Sequence, residues 1–261
     1  YNTVNAMLEV VAHELQHAIY FNRKYLLNNN TGAKENPYVT EGLSHLAQDL
    51  SGYQAGNLYV VLATLKGIDL VAVPNLAPDT ISAYVPGASD GVMRGADYLL
   101  LRYLFDRAGG DAMDSAGKPL DKGGIKWLRA FMDAKETGLK NLTGSTKLEL
   151  SKLSLDFWTA MAVSNRGVGG KPINSEARYN FRPTTVDPLT KRQRGCNLFA
   201  AFHGSKMTGP ATQSFTAADK SLRAGGGELL LLAPKAGQSS LQFSVTVDSD
   251  AKALGRLIRV E

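Results

Sequence analysis

The feature that most constrains this chain is the segment spanning residues 10–19, VVAHELQHAI, which contains the pattern H-E-x-x-H. On an α-helix, positions four residues apart lie on one face, so His13 and His17 can bind one metal ion together. Glu14 then lies near the open side of that ion, where it can accept a proton from water. The motif therefore predicts the site of a zinc hydrolase.

The flanking residues predict the helix that this motif requires. Apolar residues recur at steps of three and four, which favours a stripe that faces a core. The stripe consists of Val4, Leu8, Val11, Leu15 and Ala18. We expect a helix that is buried nearly all round, with the side that carries His13 and His17 opening on a cleft.

Two plainer interpretations of the motif remain. By chance alone, about one in a hundred chains of this length would contain the motif. Two histidines on an otherwise apolar helical face are also compatible with hydrogen-bonded core residues.

Composition excludes several classes of protein. The chain has 261 residues, 44% of them hydrophobic, with a net charge of +5. No apolar run approaches the ~18 residues that a membrane span needs. The densest basic cluster, residues 191–194, lacks the interleaved aromatics of a nucleic-acid site, and we expect neither a nucleic-acid partner nor a membrane span. The single Cys196 excludes an intramolecular disulfide framework.

The pattern of segments predicts an α+β chain in three parts. Residues 1–165 are expected to form a mainly helical subdomain, 166–195 a linker, and 196–261 a small antiparallel β module that adds no metal ligand. After the motif helix, we expect a helix capped near Thr40, then helices near 55–66, 90–108, 124–136 and 148–163. Strands are expected at 229–232, 241–247 and 257–260.

Glu41 is the expected third metal ligand. A hydrolytic zinc usually has three protein ligands and one open position. No third histidine follows at a metzincin spacing, but Glu41 comes 41 − 17 = 24 residues after His17, on the next predicted helix. A helix, a loop and an antiparallel helix would return its carboxylate to the two imidazoles.

These segments together resemble the gluzincin zinc metallopeptidases, and most closely the bacterial hyicolysin-like peptidases. The motif helix continues as Phe21-Asn22-Arg23, and the second helix reads EGLSH from Glu41, followed by Gln48-Asp49. A later stretch, 95–104, is also similar. The resemblance covers roughly residues 5–165 and is strong in the first two segments and loose beyond them.

The resemblance implies a mainly helical zincin catalytic subdomain with one catalytic Zn²⁺. His13, His17 and Glu41 would hold the ion, and Glu14 would be the general base and then the acid that protonates the leaving amine. A protein or peptide would be the substrate of an enzyme that is secreted, periplasmic or on the cell surface of a bacterium.

The chain departs from the thermolysin-like pattern at His45. Those gluzincins place an aspartate four residues after the ligand glutamate to orient the first histidine. Here that position is His45, and Asp49, one turn further on, is the candidate for this orienting role. His45 as a fourth ligand would close the site to water, so a three-ligand site is expected. Tyr98, Tyr103 and His203 are candidates for stabilising the oxyanion by residue type only; core tyrosines and a loop histidine are the plainer interpretation.

A gluzincin domain also has a β-sheet before its motif helix, whereas Tyr1 lies twelve residues before His13. We therefore expect Val4, Leu8 and Val11 to be bare within this chain, and an N-terminal fragment of the same precursor to cover them.

The sequence thus favours a zinc-dependent endopeptidase. The alternative is a non-catalytic surface or binding protein with a structural or decayed metal site, in which the β module binds the ligand.

Overall fold

The computed structural model describes residues 3–30, 32, 34–68, 71, 73, 90–168, 171–174, 176–182, 185–188, 191–215, 226–233, 237–238, 240, 242–247 and 253–258. Within these ranges the chain has seven α-helices and five pairs of short strands. The expected α+β class is confirmed at that level. None of the described helices is long and apolar enough to cross a membrane.

The first of the described helices carries the H-E-x-x-H motif. They are α1 Thr3–Phe21, α2 Pro37–Leu50, α3 Asn57–Lys66, α4 Asp90–Arg107, α5 Gly124–Asp133, α6 Gly138–Thr146 and α7 Leu150–Val163. A π-helical turn, Asn22–Leu27, continues α1, and a 3-10 turn, Ala177–Tyr179, follows α7. The sequence pattern predicted every helix except α6, whose two glycines and few apolar residues give it a weak helical signal.

The second helix begins earlier than predicted. Its N-cap is Asn36 rather than Thr40, and the Asn36 side chain accepts a hydrogen bond from the backbone N–H of Tyr38 at 3.0 Å. Pro37 occupies the first helical position, where its missing N–H costs nothing. This start places Glu41 in the second turn of α2.

Helix α4 is the centre of the fold. All its residues from Val92 to Asp106 are buried except Arg94, and it packs against α2, α3, α5 and α7. Glycines allow the closest approaches, since a Cβ on Gly42 would lie 2.8 Å from the carbonyl oxygen of Asp97. Arg94 is the one residue between Val92 and Asp106 that is only half-buried, and its guanidinium donates to Glu41 on α2.

Helix α1 turns its polar side, not its apolar stripe, toward the rest of the chain. Val4, Val11 and Leu15 are 59%, 55% and 55% exposed, whereas Glu9 and Tyr20 are buried. The prediction of a helix buried nearly all round is therefore wrong within this chain. The expectation that Val4 and Val11 would be exposed within this chain is confirmed. Leu8, which was also expected to be exposed, is half-buried. The reason is that α1 packs mainly on α2, which covers one face only.

The strands are two or three residues long. They are β1 Asp111–Met113, β2 Pro119–Asp121, β3 Gly167–Val168, β4 Lys171–Pro172, β5 Thr185–Val186, β6 Gln193–Arg194, β7 Ala201–Phe202, β8 Ser205–Lys206, β9 Gln213–Ser214 and β10 Leu230–Leu231. Four pairs are antiparallel, β1–β2, β3–β4, β5–β6 and β7–β8. The pair β9–β10 is parallel, so the expectation of a wholly antiparallel module is wrong for that pair.

The predicted C-terminal strands are mostly absent from the described residues. Only Leu230–Leu231 is a strand, and residues 242–247 and 257–258 have no regular secondary structure. Positions 241 and 259–260 lie outside the described residues. Phe243 and Val245 are both exposed, and although the Phe243 ring contacts Phe215, the described residues do not cover the apolar face that the alternation predicted. No described residue of 229–247 is helical.

Parts of the C-terminal segment nevertheless pack on the helices. Leu198, Phe202 and Met207 belong to the buried core. The Arg256 guanidinium donates to Asp156 and Thr159 of α7 at 3.3 and 2.9 Å.

Candidate metal centre

Helices α1 and α2 run in opposite directions past each other, as the contacts along them show. Near the start of α1, the carbonyl oxygen of Glu9 accepts from Gln48, at the end of α2. Further along α1, His17 lies beside Ser44, whose Oγ is 3.3 and 3.4 Å from its two ring nitrogens. This antiparallel arrangement brings the carboxylate of Glu41 to the two motif histidines, as the spacing predicted.

Glu41 faces both imidazoles. Nε2 of His13 lies 3.3 Å from Oε2 of Glu41, and Nε2 of His17 lies 3.4 Å from Oε1. Two ligands bound at about 2.1 Å to one tetrahedral zinc are about 3.4 Å apart. The His13 and His17 rings meet edge to face with centroids 5.0 Å apart. The donor types suit a metal ion, but His13 and His17 approach different oxygens of Glu41. Among the described residues, the group whose donor atoms all lie within 4.8 Å of one another is His13, Glu41 and His45, and it does not include His17.

The electrostatics of Glu41 suit a metal ligand. Burial raises its pKa, but hydrogen bonds with His13 and His17 and the charge of Arg94 outweigh this, so its pKa is lowered below the usual range. The hydrogen bond to Glu41 raises the pKa of His17, and the nearby charge of Glu14 adds to that shift. Glu41 is thus ionised at neutral pH, as a cation site requires.

Glu14, the predicted base, has an exposed side chain on α1. Glu14 lies about one helical turn before His17 on α1, and its charge contributes to the raised pKa of His17. Nothing in the described part of the chain covers it, so water can reach it.

His45 adds a second imidazole from α2. Its ring lies edge to face against His13 with centroids 5.0 Å apart. Donor atoms of His13, Glu41 and His45 all lie within 4.8 Å of one another. His45 is only 8% exposed, and desolvation lowers its pKa to about 4, so the ring is neutral at pH 7.

Arg94 is a site residue that the sequence analysis missed. Its guanidinium donates from Nη1 to Oε2 of Glu41 and from Nε to Asp90, the latter at 2.7 Å. The available signal was the i, i+4 pairing of Asp90 and Arg94 at the start of α4. That pattern alone indicates a solvated surface pair, and only the crossing of α2 over α4 brings Glu41 within reach.

Asp49 does not take the orienting role that the sequence suggested. Its carboxylate accepts from Tyr98 Oη at 2.9 Å, from Arg102 at 2.8 Å and from the backbone N–H of Gly195 at 2.6 Å. It therefore ties α2 to α4 and to the segment after β6. The imidazoles next to the site are instead contacted by Ser44, at His17, and by Asn57, at His45.

The three residues considered for the oxyanion are occupied elsewhere. Tyr98 is fully buried and donates to Asp49, and Tyr103 donates to the carbonyl oxygen of Arg178 at 3.0 Å. His203 lies in the turn between β7 and β8 with its ring against Phe202. The plainer interpretation of core tyrosines and a loop histidine fits these contacts.

Comparisons of the chain with protein-family models, with curated proteins and with solved structures give no match. The gluzincin resemblance therefore stays a prediction, and the functional argument depends on the residues of the site.

Proposed function

We propose that this chain is a zinc-dependent peptidase in which His13, His17 and Glu41 hold one zinc ion and Glu14 is the general base. One observation carries the proposal more than any other. Glu41, from a separate helix, places its two carboxylate oxygens 3.3 and 3.4 Å from the Nε2 atoms of the two motif histidines. A carboxylate that reaches both motif histidines from a separate helix supplies a third ligand of the type that a hydrolytic zinc site uses.

The donor set matches the proposed chemistry. Two imidazoles and one carboxylate are the protein ligands of several hydrolytic zinc sites. When bound there, zinc supplies a Lewis acid that lowers the pKa of water and polarises a carbonyl group. The residues supply the rest: Glu41 brings a negative charge, and His13 and His17 hold fixed positions because consecutive turns of α1 carry them.

Glu14 would move the proton. Its carboxylate accepts a proton from water as the oxygen attacks the carbonyl carbon, and then donates that proton to the leaving amine. Its exposure on the side of α1 next to His17 leaves it accessible to water and to a peptide. A protein or peptide substrate, and a secreted, periplasmic or cell-surface location in a bacterium, rest on the gluzincin resemblance.

A second candidate function is a non-catalytic surface or binding protein with a structural or decayed site. The observation that favours it is the ion pair between Arg94 and Glu41, which neutralises the carboxylate without any metal. In that case the β module would bind the ligand.

Metal analysis combined with casein digestion separates the two functions. We expect one zinc per chain and measurable digestion by the wild-type protein. Glu14→Gln should keep the zinc and lose about 10²–10⁴ in rate, because the amide has the same shape but cannot take the proton. Glu176→Gln, which neutralises an exposed carboxylate paired with Arg178, is the control and should digest casein at the wild-type rate.

Digestion by Glu14→Gln at the wild-type rate would show that Glu14 is not the base. A protein that binds zinc but digests nothing would support the binding-protein alternative.

A further inference from the structure

We propose that His45 is a fourth ligand of the candidate zinc ion, binding through Nε2 and closing the site in the resting protein. The inference rests on the proposed zinc site at His13, His17 and Glu41. It is independent of whether the site hydrolyses peptides.

The first step is the hydrogen position on His45. The Asn57 side chain donates from Nδ2 to the carbonyl oxygen of His45 at 3.0 Å, which fixes the orientation of the amide. Its Oδ1 therefore faces Nδ1 of His45, 2.9 Å away. Because an amide oxygen can only accept, Nδ1 must carry the hydrogen, and Nε2 of the neutral ring has a bare lone pair.

The second step is that this lone pair is buried and unused. His45 is 8% exposed, and its Nε2 has no hydrogen-bond partner among the described residues. A buried acceptor without a partner costs free energy, and native proteins rarely keep one without a reason. A metal ion bound at Nε2 removes that cost.

The third step is the position of the ring. Donor atoms of His45, His13 and Glu41 lie within 4.8 Å of one another, and the His45 and His13 rings are in contact. Ligand histidines characteristically donate their other ring N–H to an oxygen that sets the tautomer, as Asn57 does here. His45 thus combines a fixed Nδ1–H, an unpartnered Nε2 and contact with two candidate ligands, which is the arrangement that a metal ligand needs.

One consequence is a closed resting site. Donor atoms of His13, Glu41 and His45 already lie within 4.8 Å of one another, and His17 would complete the shell by moving toward them. Four protein donors would fill the tetrahedral shell of zinc, as in structural sites, and leave no position for water. Opening then requires one ligand to leave. His17 is the more exposed motif histidine, with a side chain 31% exposed against 13% for His13, and Ser44 is at hand to receive its ring.

The variant that tests the inference is His45→Asn. The asparagine amide can still donate to Asn57 from nearly the position of Nδ1, but it has no atom at the position of Nε2. We expect its zinc affinity, measured by competition with a chelator, to fall about tenfold or more. Replacing a residue that only contacts a ligand already costs about 10–100-fold, and loss of a ligand should cost at least as much. The absorption spectrum of the cobalt-loaded protein should also change.

His203→Asn is the matched control. It also removes an imidazole whose Nε2 has no partner among the described residues, but one that lies outside the metal cluster. Its φ of 46° suits asparagine, so the replacement is mild. We expect wild-type zinc affinity and a wild-type cobalt spectrum.

Wild-type affinity and spectrum in His45→Asn would overturn the proposed ligand while leaving the zinc site intact. If His13→Asn also bound zinc as the wild type does, the proposed function itself would fail. X-ray absorption of the zinc-loaded proteins gives a second test: one imidazole ligand fewer in His45→Asn than in the wild type supports the inference, and an unchanged number overturns it.

Discussion

Arg94 donates from Nη1 to Oε2 of Glu41, the same carboxylate oxygen that lies 3.3 Å from Nε2 of His13. The same guanidinium also binds Asp90, one turn earlier on α4. A cation placed between Glu41 and His13 must therefore share this oxygen with a positive charge that the protein already supplies.

Replacing Arg94 should strengthen metal binding. In Arg94→Gln, the competing charge is gone, and at protein-like dielectric a nearby unit charge changes the affinity for a dication by about tenfold or more. Zinc titration by calorimetry measures the change. Arg23→Gln, which removes a guanidinium paired with the exposed Asp133, is the control and should leave the affinity unchanged. Weaker binding in Arg94→Gln would mean that Arg94 supports the site instead of competing with the ion.

Removing the charge of Glu41 should abolish tight metal binding. Glu41→Gln keeps the shape of the side chain but loses the anionic ligand, and we expect the zinc affinity to fall at least about a hundredfold. Glu9→Gln is a matched control on the same helix interface. Glu9 accepts a hydrogen bond from the N–H of Gly56, which an amide oxygen can also accept. If both variants bound zinc equally well, the ion would not be bound at Glu41.

Asp97 should make the protein less stable as the pH rises. The side chain is fully buried, desolvation raises its pKa well above the usual value, and its Oδ1 has no hydrogen-bond partner among the described residues. Above about pH 4 the unfolded chain releases this proton while the folded chain keeps it, so the free energy of unfolding falls with increasing pH.

Asp97→Asn should remove that pH-dependent loss of stability, because an amide stays neutral at every pH. We expect the variant to be more stable than the wild type by about 1–3 kcal/mol at pH 7, with a smaller difference at pH 4. Urea unfolding at both pH values gives the comparison. Asp133→Asn, on the surface, should change stability by less than about 1 kcal/mol. A destabilised Asp97→Asn at pH 7 would show that the folded protein uses an ionised Asp97.

The apolar side of α1 should contribute little to the stability of this chain alone. Leu15 is 55% exposed, so Leu15→Ala should change the free energy of unfolding by less than about 0.5 kcal/mol. Leu43, on α2, is buried, and Leu43→Ala should cost about 2–5 kcal/mol. Urea unfolding at low protein concentration compares them. A large loss in Leu15→Ala would mean that something covers this face in solution, and a dependence on protein concentration would identify self-association.

The sequence by itself determined the features that depend on local spacing. Histidines four apart must share a helical face, so His13 and His17 were predicted as a pair. A short connection between two helices favours antiparallel packing, and the 24-residue gap therefore placed Glu41 near them. Periodicity also predicted six of the seven described helices, because long apolar repeats are a strong signal.

Only the tertiary structure decided what each side of those helices meets. Periodicity shows that Val11 and Leu15 share a stripe, but it cannot show that α2 packs on the other side of α1. The roles of Arg94, Asn57 and Asp49 depend on which side chains the crossings of α2, α3 and α4 bring within 3 Å, and no spacing along the chain encodes this. The C-terminal alternation failed as a strand signal for the same reason, since alternating residues form a sheet only where a neighbouring strand and a covering layer are present.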